Sequence, residues 1–367
     1  MKRDSRIGED LSFMGEVLNL ARKGAGSVSP NPLVGCVVVK NDRIIGRGYH
    51  RYFGGPHAEV YAIRSAGKRI RGSTLYVNME PCNHYGKTPP CTNLIIKKGI
   101  KRVVVGLRDP NPIVSGKGIA QLRKAHIQVD VGILQHECEK LNEMFTTFIT
   151  HRRPFITLKI AQTLDGKISL PHARSRWITN DTSRHIVHAL RSVYDAVLVG
   201  AGTVRIDNPK LTVRHVRGKN PVRVVLDGPL SVNVKSSVFS RSAKTILFIS
   251  ERAAREKHGK VRLLRKKGVE VIAVAAHKTS DIPLKKILKL LAGRGIASVM
   301  VEGGAEVFQK FIKAKLVDKL LIFIAPIIAG EGTNVVAAGH GKPNQFGRFK
   351  DVKTWNLDGD ILVEAYT

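Results

Sequence analysis

The apolar positions of this chain change period repeatedly. Met14, Val17, Leu18 and Ala21 recur at helical spacing, and Gly24 closes that run. "LVGCVVVK" and "RIIGRGYH" then flank Asn41-Asp42 as a hairpin-like pair. A helix from about His57, the strand "TLYVNME", a helix after Cys91 and the strand "KRVVVGL" follow. "GKGIAQLRKAHI" adds a further helix and "QVDVGI" a further strand. This alternation predicts a largely parallel sheet sandwiched by helices.

A helix through "CEKLNEMFTTFI" leads to "THRRP" at 150–154, a basic, proline-ended stretch that divides the chain into segments 1–150 and 151–367. The second segment is again α/β. "FITLKIA", "DAVLVG", "PVRVVLDG", "KTILFIS", "VEVIAV" and "ASVMVEGG" read as strands, and "TSRHIVHALRSV", "LKKILKLLAG" and "AEVFQKFIKAKL" as helices. The apolar run "LLIFIAPIIAG" at 320–330 is too short to span a bilayer and is expected to be a buried strand. No short repeat or low-complexity tract is visible.

Composition changes this picture little. Hydrophobic residues make up 43% and charged residues 25% of 367, as in a soluble globular protein of about two domains. The charged start "MKRDSRIGED" is no signal core, so a cytoplasmic protein with no membrane partner is expected. Four cysteines give no disulfide framework; Cys36 reads as a core strand residue and Cys138 as structural in a helix. Net charge changes the picture more. At +32, from 61 basic and 29 acidic residues, the field attracts polyanions, so nucleic acid must be weighed. The cations are scattered, however, and aromatics are only 6%, which argues against a dedicated nucleic-acid surface.

Cys82 and Cys91 remain to be explained. With His57 they offer one imidazole and two thiolates, a donor set for a catalytic Zn2+ that keeps its fourth position for water. Zinc lowers the pKa of such a water towards about 7. Glu59, two residues from His57, then stands free to take its proton and pass it to a departing amine. His-x-Glu followed by Pro-Cys and a second Cys is the order known for zinc deaminases. A lone His-x-Glu recurs by chance, and two cysteines nine apart also suit a structural site. Context favours catalysis: His57 and Glu59 open a helix after a turn, Cys82 follows a strand, and Cys91 starts a helix, where thiolate is stabilised. The eight residues between the cysteines, "NHYGKTPP", bring His84, Lys87 and Thr88 near the metal, either to meet a phosphorylated substrate or as an ordinary polar loop.

These stretches resemble a known family. "SPNPLVGCVVV", "GGPHAEVYAI", "EPCNHYGKTPPC" and "DPNP…GKG" look like the deaminase half of the bifunctional riboflavin-biosynthesis deaminase/reductases. "LKIAQTLDGKIS", "SRWIT", "DAVLVGAGTVRIDNPKLTVR", "VRVVLDG" and "VEGGAEVF" continue the likeness through the reductase half, which is weakest at 229–295 and after 331. The resemblance implies a cytidine-deaminase-like three-layer α/β/α domain followed by a dihydrofolate-reductase-like α/β domain. It implies that a diaminopyrimidinone carrying a ribose phosphate loses an amine to water, and that NADPH then reduces the ribosyl chain to ribityl. By the same resemblance, Asn31, His84 and Lys87 contact the deaminase substrate. Ala161, Trp177, Thr203, Asp207 and the turn starting at Gly304 touch the cofactor. Lys159, Ser175, Arg191, Leu211, Arg214 and Glu302 hold the phosphoribosyl substrate.

Read from the residues alone, this second half is less specific. Gly303-Gly304 between strand and helix lets backbone approach a phosphate, yet glycine there is as readily simple geometry, and no G-x-G-x-x-G is present. Thr203 and Asp207 share a face if helical; otherwise they belong to a polar loop. Arg191 and Arg214 suit a phosphate, while Arg191 as a solvated helix charge and Trp177 as a core residue are the plain readings. Asp165-Gly166 reads as a tight turn. Three departures from the family stand out: Asn83 for a common Ser, Gly228 where a cofactor-contacting hydroxyl is common, and Ala173-Arg174 for a Gly-acid pair. Two other functions compete: a nucleic-acid or nucleoside deaminase with a basic accessory domain, and a structural zinc module on an inactive reductase-like domain. The wide cysteine spacing and the whole second half argue against the first, and Glu59 against the second. Oligomeric state is not readable, and a homo-oligomer stays open.

Overall fold

Strand and helix alternation builds two separate units, Met1–Arg153 and Pro154–Thr367. A computed structural model describes residues 2–86, 89–170, 177–276, 278–279, 281–335 and 348–367. Among them no helix is long and apolar enough to cross a membrane.

The first unit runs α1 (Lys2–Arg22), β1 (Gly35–Lys40), β2 (Arg43–Tyr49), α2 (Ala58–Ala66), β3 (Thr74–Met79), α3 (Cys91–Lys97), β4 (Arg102–Leu107), α4 (Lys117–Lys124), β5 (Gln128–Val131), α5 (Gln135–Leu141) and α6 (Glu143–His151). Its sheet has the order β2-β1-β3-β4-β5. β1 is antiparallel to both β2 and β3, whereas β3, β4 and β5 are parallel, so the sheet is less parallel than expected. The hairpin turns at Asn41 and Asp42, both left-handed, which matches strand twist. Alternation sorts the core into two faces. Val38, Leu75, Val77 and Val103 pack under α2, α3 and α4, while Val37, Val39, Tyr76 and Val104 pack under α1, α5 and α6. The run through "CEKLNEMFTTFI" is two helices rather than one. Asn142 stands between them at φ −109° and ψ 18°, and its side-chain amide accepts from Leu33 N at 2.8 Å and donates to Leu33 O at 3.1 Å.

A buried polar junction ties α1 to the sheet. Asp10 accepts from Tyr76 Oη at 2.7 Å and from both terminal nitrogens of Arg102 at 2.8 and 2.6 Å, and Arg102 Nε reaches Asp130 at 2.6 Å. Burial opposes the charge on Asp10, but the bonds from Arg102 and Tyr76 outweigh it and hold the carboxyl below its ordinary value.

The second unit has β6 (Phe155–Thr163), β7 (Lys167–Ser169), α7 (Asp181–Val193), β8 (Ala196–Gly200), α8 (Ala201–Asp207), β9 (Val222–Leu226), β10 (Thr245–Ser250), α9 (Glu251–Glu256), α10 (His258–Lys266), β11 (Val269–Val274), α11 (Leu284–Ala292), β12 (Ser298–Gly303), α12 (Ala305–Lys313), β13 (Lys319–Ala325), β14 (Thr333–Asn334), β15 (Lys350–Leu357) and β16 (Asp360–Tyr366). Nine strands form one sheet, β11-β10-β9-β8-β12-β6-β13-β16-β15, parallel up to β13 and antiparallel beyond it. Among the described residues β7 pairs with β14. α11 and α12 cover one face through Ile287, Leu288, Phe308 and Phe311. The apolar run at 320–330 is a strand only as far as Ala325; Pro326 follows, and Ile328 is 77% exposed. The C-terminal β15–β16 hairpin turns on left-handed Asp358 and Gly359. The Asp-Gly pair between apolar runs is its sequence signal.

Asp10→Ala leaves Arg102 buried with half its partners, and is expected to cost about 3–5 kcal/mol in denaturant unfolding of the first unit. An unfolded Asp titrates near about 3.9, and the folded value is lower. The stabilisation from Asp10 is therefore complete above about pH 4 and lost as pH falls through the folded value, so the gap between variant and parent closes in acid.

Candidate active sites

Backbone packing places the first site. Gly46 and Gly48 lie on one face of β2, and a Cβ on either would stand 2.3 Å from a carbonyl oxygen of α2, of Ala62 and Ala58 respectively. α2 thus lies directly on the strand, with His57 as its N-cap and Glu59 in its first turn. Cys82 follows β3, and Cys91 opens α3 with its N–H donating to Cys82 Sγ at 3.4 Å. His57 Nδ1 lies 3.5 Å from Cys82 Sγ and 3.3 Å from Cys91 Sγ. All three ligand atoms lie within 4.8 Å of one another, the one such group of His, Cys, Asp or Glu among the described residues. A tetrahedral zinc, with Zn–S of about 2.3 Å and Zn–N of about 2.0 Å, spaces such ligands about 3.5 Å apart, so the donor set fits the ion. The thiols are free. Hydrogen bonding to Cys91 and His57 overcomes burial and brings the Cys82 thiol down to about 4, while Cys82 and burial push Cys91 up.

Glu59 is buried, and desolvation raises its carboxyl above the usual range despite the nearby His57. It lines a cavity of about 280 Å³ together with His57, Cys82, Asn31 and His84. Cys91 sits behind this wall. Lys87 and Thr88 lie outside the described residues.

Four polar residues of this lining were not singled out from the sequence. His50 is buried, reaches Pro56 O at 3.0 Å and meets the Asn31 amide at 3.1 Å. Glu80 accepts from the N–H groups of Asp109, Gly116 and Ile119 at 3.2, 2.9 and 3.1 Å, which pins the loop before α4. That loop brings Asp109 and Asn111 to the cavity, and burial pushes the Asp109 carboxyl up to about 6. The "DPNP" stretch and the Glu before Pro81 were their only signals.

The second unit holds a cavity of about 850 Å³ lined by Trp177, Arg191, Thr203, Asp207, Leu211, Arg214 and Glu302, among others. Arg191 and Glu302, with side chains 11% and 6% exposed, form a two-pronged pair, both bonds 2.6 Å. Arg191 is therefore no solvated helix charge, and Trp177, 53% exposed, is no core residue. Burial alone would raise Glu302, but Arg191 and Lys159 outweigh it and lower its carboxyl; burial likewise lowers the Lys159 amine. Thr203 and Asp207 are helical, on α8. Gly304 is left-handed at the entry to α12, where Thr203 Oγ1 stands 3.3 Å from the site of a Cβ. Lys159, Ala161 and Gly304 are not among the residues lining the cavity, and Ser175 and the Ala173-Arg174 departure lie outside the described residues. Gly228 has a steric reason: a Cβ there would meet Thr279 O at 1.8 Å, so backbone fills the place of a hydroxyl side chain. Asp165-Gly166 is a turn, with Gly166 N bonded to Thr163 O.

Comparison with known proteins gives two profile matches. Residues 8–107 match the cytidine and deoxycytidylate deaminase zinc-binding region, and residues 154–363 match the RibD C-terminal domain. The riboflavin biosynthesis protein RibD of Aquifex aeolicus is 44% identical, over 96% of this chain and 97% of the relative. The chain belongs to the RibD family. Escherichia coli RibD is 36% identical over 88% of this chain and 89% of the relative. A solved diaminohydroxyphosphoribosylaminopyrimidine deaminase/5-amino-6-(5-phosphoribosylamino)uracil reductase from Thermotoga maritima superposes with a TM-score of 0.86 at 45% identity, covering 98% of this chain and 99% of that one. Acinetobacter baumannii RibD gives 0.87 at 34%, with the same coverage. As a RibD, the chain is a bifunctional deaminase and reductase of riboflavin biosynthesis, with a zinc-binding deaminase domain and an NADPH-dependent reductase domain. A nucleic-acid or nucleoside deaminase with a basic accessory domain does not account for the RibD match of the second half.

Purified protein is expected to hold about one zinc per chain, and Cys91→Ser to lose it together with ammonia release while NADPH oxidation persists. Metal analysis beside the two assays checks this.

Proposed function

We propose that segment 1–150 releases ammonia from a diaminopyrimidinone bearing a ribosyl phosphate, and that segment 151–367 reduces the ribosyl group of the product to ribityl. The two activities named for the Thermotoga relative support the substrates. The observation that carries the first step is the buried Glu59 carboxyl in one cavity with His57 and Cys82. His57, Cys82 and Cys91 hold the zinc, which when bound supplies a Lewis acid that makes water nucleophilic at neutral pH. Glu59 would take a proton from the attacking water and deliver it to the amine as the carbon–nitrogen bond breaks. Asn31 and His84, with Lys87, bind the substrate.

In the second unit, bound NADPH supplies the hydride. Trp177, Thr203 and Asp207 bind this cofactor, joined by Ala161 and the turn at Gly304. Arg191, Leu211, Arg214 and Glu302 hold the phosphoribosyl substrate with Lys159 and Ser175. Guanidinium groups suit its phosphate because their paired donors match phosphate oxygens. All four cysteines are free thiols, which suits a reducing compartment, and we place the enzyme in the cytoplasm.

Glu59→Gln keeps the shape but removes the proton carrier. Ammonia release is expected to fall by about 10²–10⁴-fold with zinc content unchanged; normal deamination in this variant would overturn the shuttle role. For Asp207→Ala the expectation is a KM for NADPH raised about tenfold with deamination untouched. Loss of both activities together would show that the two sites are not independent.

A further inference from the structure

His188 belongs to no role assigned above, yet it is buried among groups that line the reductase cavity. It sits three residues before Arg191 on α7, on the same face. Its Nδ1 lies 3.0 Å from the backbone nitrogen of Arg214. A backbone N–H only donates, so Nδ1 carries the lone pair and the neutral ring keeps its proton on Nε2. Nε2 lies 3.5 Å from Arg191 Nη1, which itself donates to Thr212 O at 3.2 Å. His215 closes the other side, edge-on, with ring centroids 4.5 Å apart.

The segment held this way has no regular structure. Residues 208–221 run from α8 to β9 as a loop, with left-handed Leu211 near its start. Arg191 fixes it at Thr212 and Asn220 fixes it at Val213 N, 2.8 Å away. His188 fixes Arg214, which lines the cavity.

We infer that His188 is a positioning residue of the reductase: by accepting the Arg214 N–H it sets the backbone from which Arg214 meets the substrate phosphate. The inference rests on the phosphoribosyl reading of this cavity. A cation at position 188 has no lone pair at Nδ1 and would add charge beside Arg191 and Arg214, so the ring works only while neutral.

The test compares His188→Leu, His188→Asn and Arg214→Met in the full-length enzyme, with NADPH oxidation measured on the phosphoribosylaminouracil and on its dephosphorylated form, and ammonia release as the control for folding. Asn places Oδ1 where Nδ1 stood and keeps the acceptor. Loss of one hydrogen bond predicts that His188→Leu raises KM for the phosphorylated substrate about tenfold with kcat nearly unchanged, and that His188→Asn restores KM to within about threefold. KM for the dephosphorylated form is expected to stay the same in both. If Arg214→Met raises KM and His188→Leu does not, the phosphoribosyl reading stands and the role of His188 is overturned. An Asn variant no better than Leu overturns it equally, since the acceptor is then irrelevant. An unchanged KM in Arg214→Met overturns the reading of the cavity itself, and the inference falls with it.

Discussion

Helix α2 meets strand β2 backbone to backbone at Gly46 and Gly48, and the first active site depends on that contact. A helix normally stands off a sheet by the depth of its side chains; Gly46 and Gly48 remove that depth along one face of the strand. The start of α2 is therefore fixed in depth as well as direction, and His57 and Glu59 arrive at the end of the sheet where β3 delivers Cys82. A second close approach completes the frame. Gly118 of α4 packs against Pro81, where a Cβ would meet the carbonyl at 2.1 Å, and Glu80 fastens the start of the same helix through two N–H groups and the loop before it through a third. Ligands from two helix starts and one strand end can gather only if the backbones between them cannot slide.

The second unit organises its site by charge rather than by metal ligands. Arg191 and Glu302 have little-exposed side chains paired in two-pronged fashion, with the Lys159 amine close enough to perturb Glu302. Burying such ions costs several kcal/mol each before their attraction is counted, so a network of this kind is weak evidence for stability and stronger evidence for a site. Its cavity is also the larger, about 850 Å³ against about 280 Å³, in keeping with a dinucleotide and a substrate meeting there.

Excess positive charge finds a partial structural use. With 61 basic residues and 29 acidic ones, most cations lack a carboxylate to pair with. Several bond to backbone carbonyls instead. Arg223, fully buried in β9, donates to the carbonyls of Ser240 and Ala243, and Lys257, Lys260 and Lys267 donate to carbonyls of the 229–234 loop. A carbonyl satisfies an N–H donor without neutralising it, so the field of the chain persists while its loops are held.

Local signals in the sequence settled the elements and the metal set. Period-two and period-3.6 runs marked most strands and helices, the Asn41-Asp42 turn marked the first hairpin, and the order His57, Glu59, Cys82, Cys91 spelled out a donor set with a spare carboxylate. The break at Asn142 and the end of β13 at Ala325 were not legible, because the apolar pattern runs on past both, as far as Ile328 in the second case, which is 77% exposed. Long-range contacts decided the remainder. That Arg191 faces Glu302 rather than water, that Gly228 yields its place to the backbone of Thr279, that Glu80 pins a loop and that His188 accepts from Arg214 each join residues at least 26 positions apart. Periodicity and spacing act over a few residues, so they can name the groups that hold a metal. Only the folded chain brings together the distant groups that orient them.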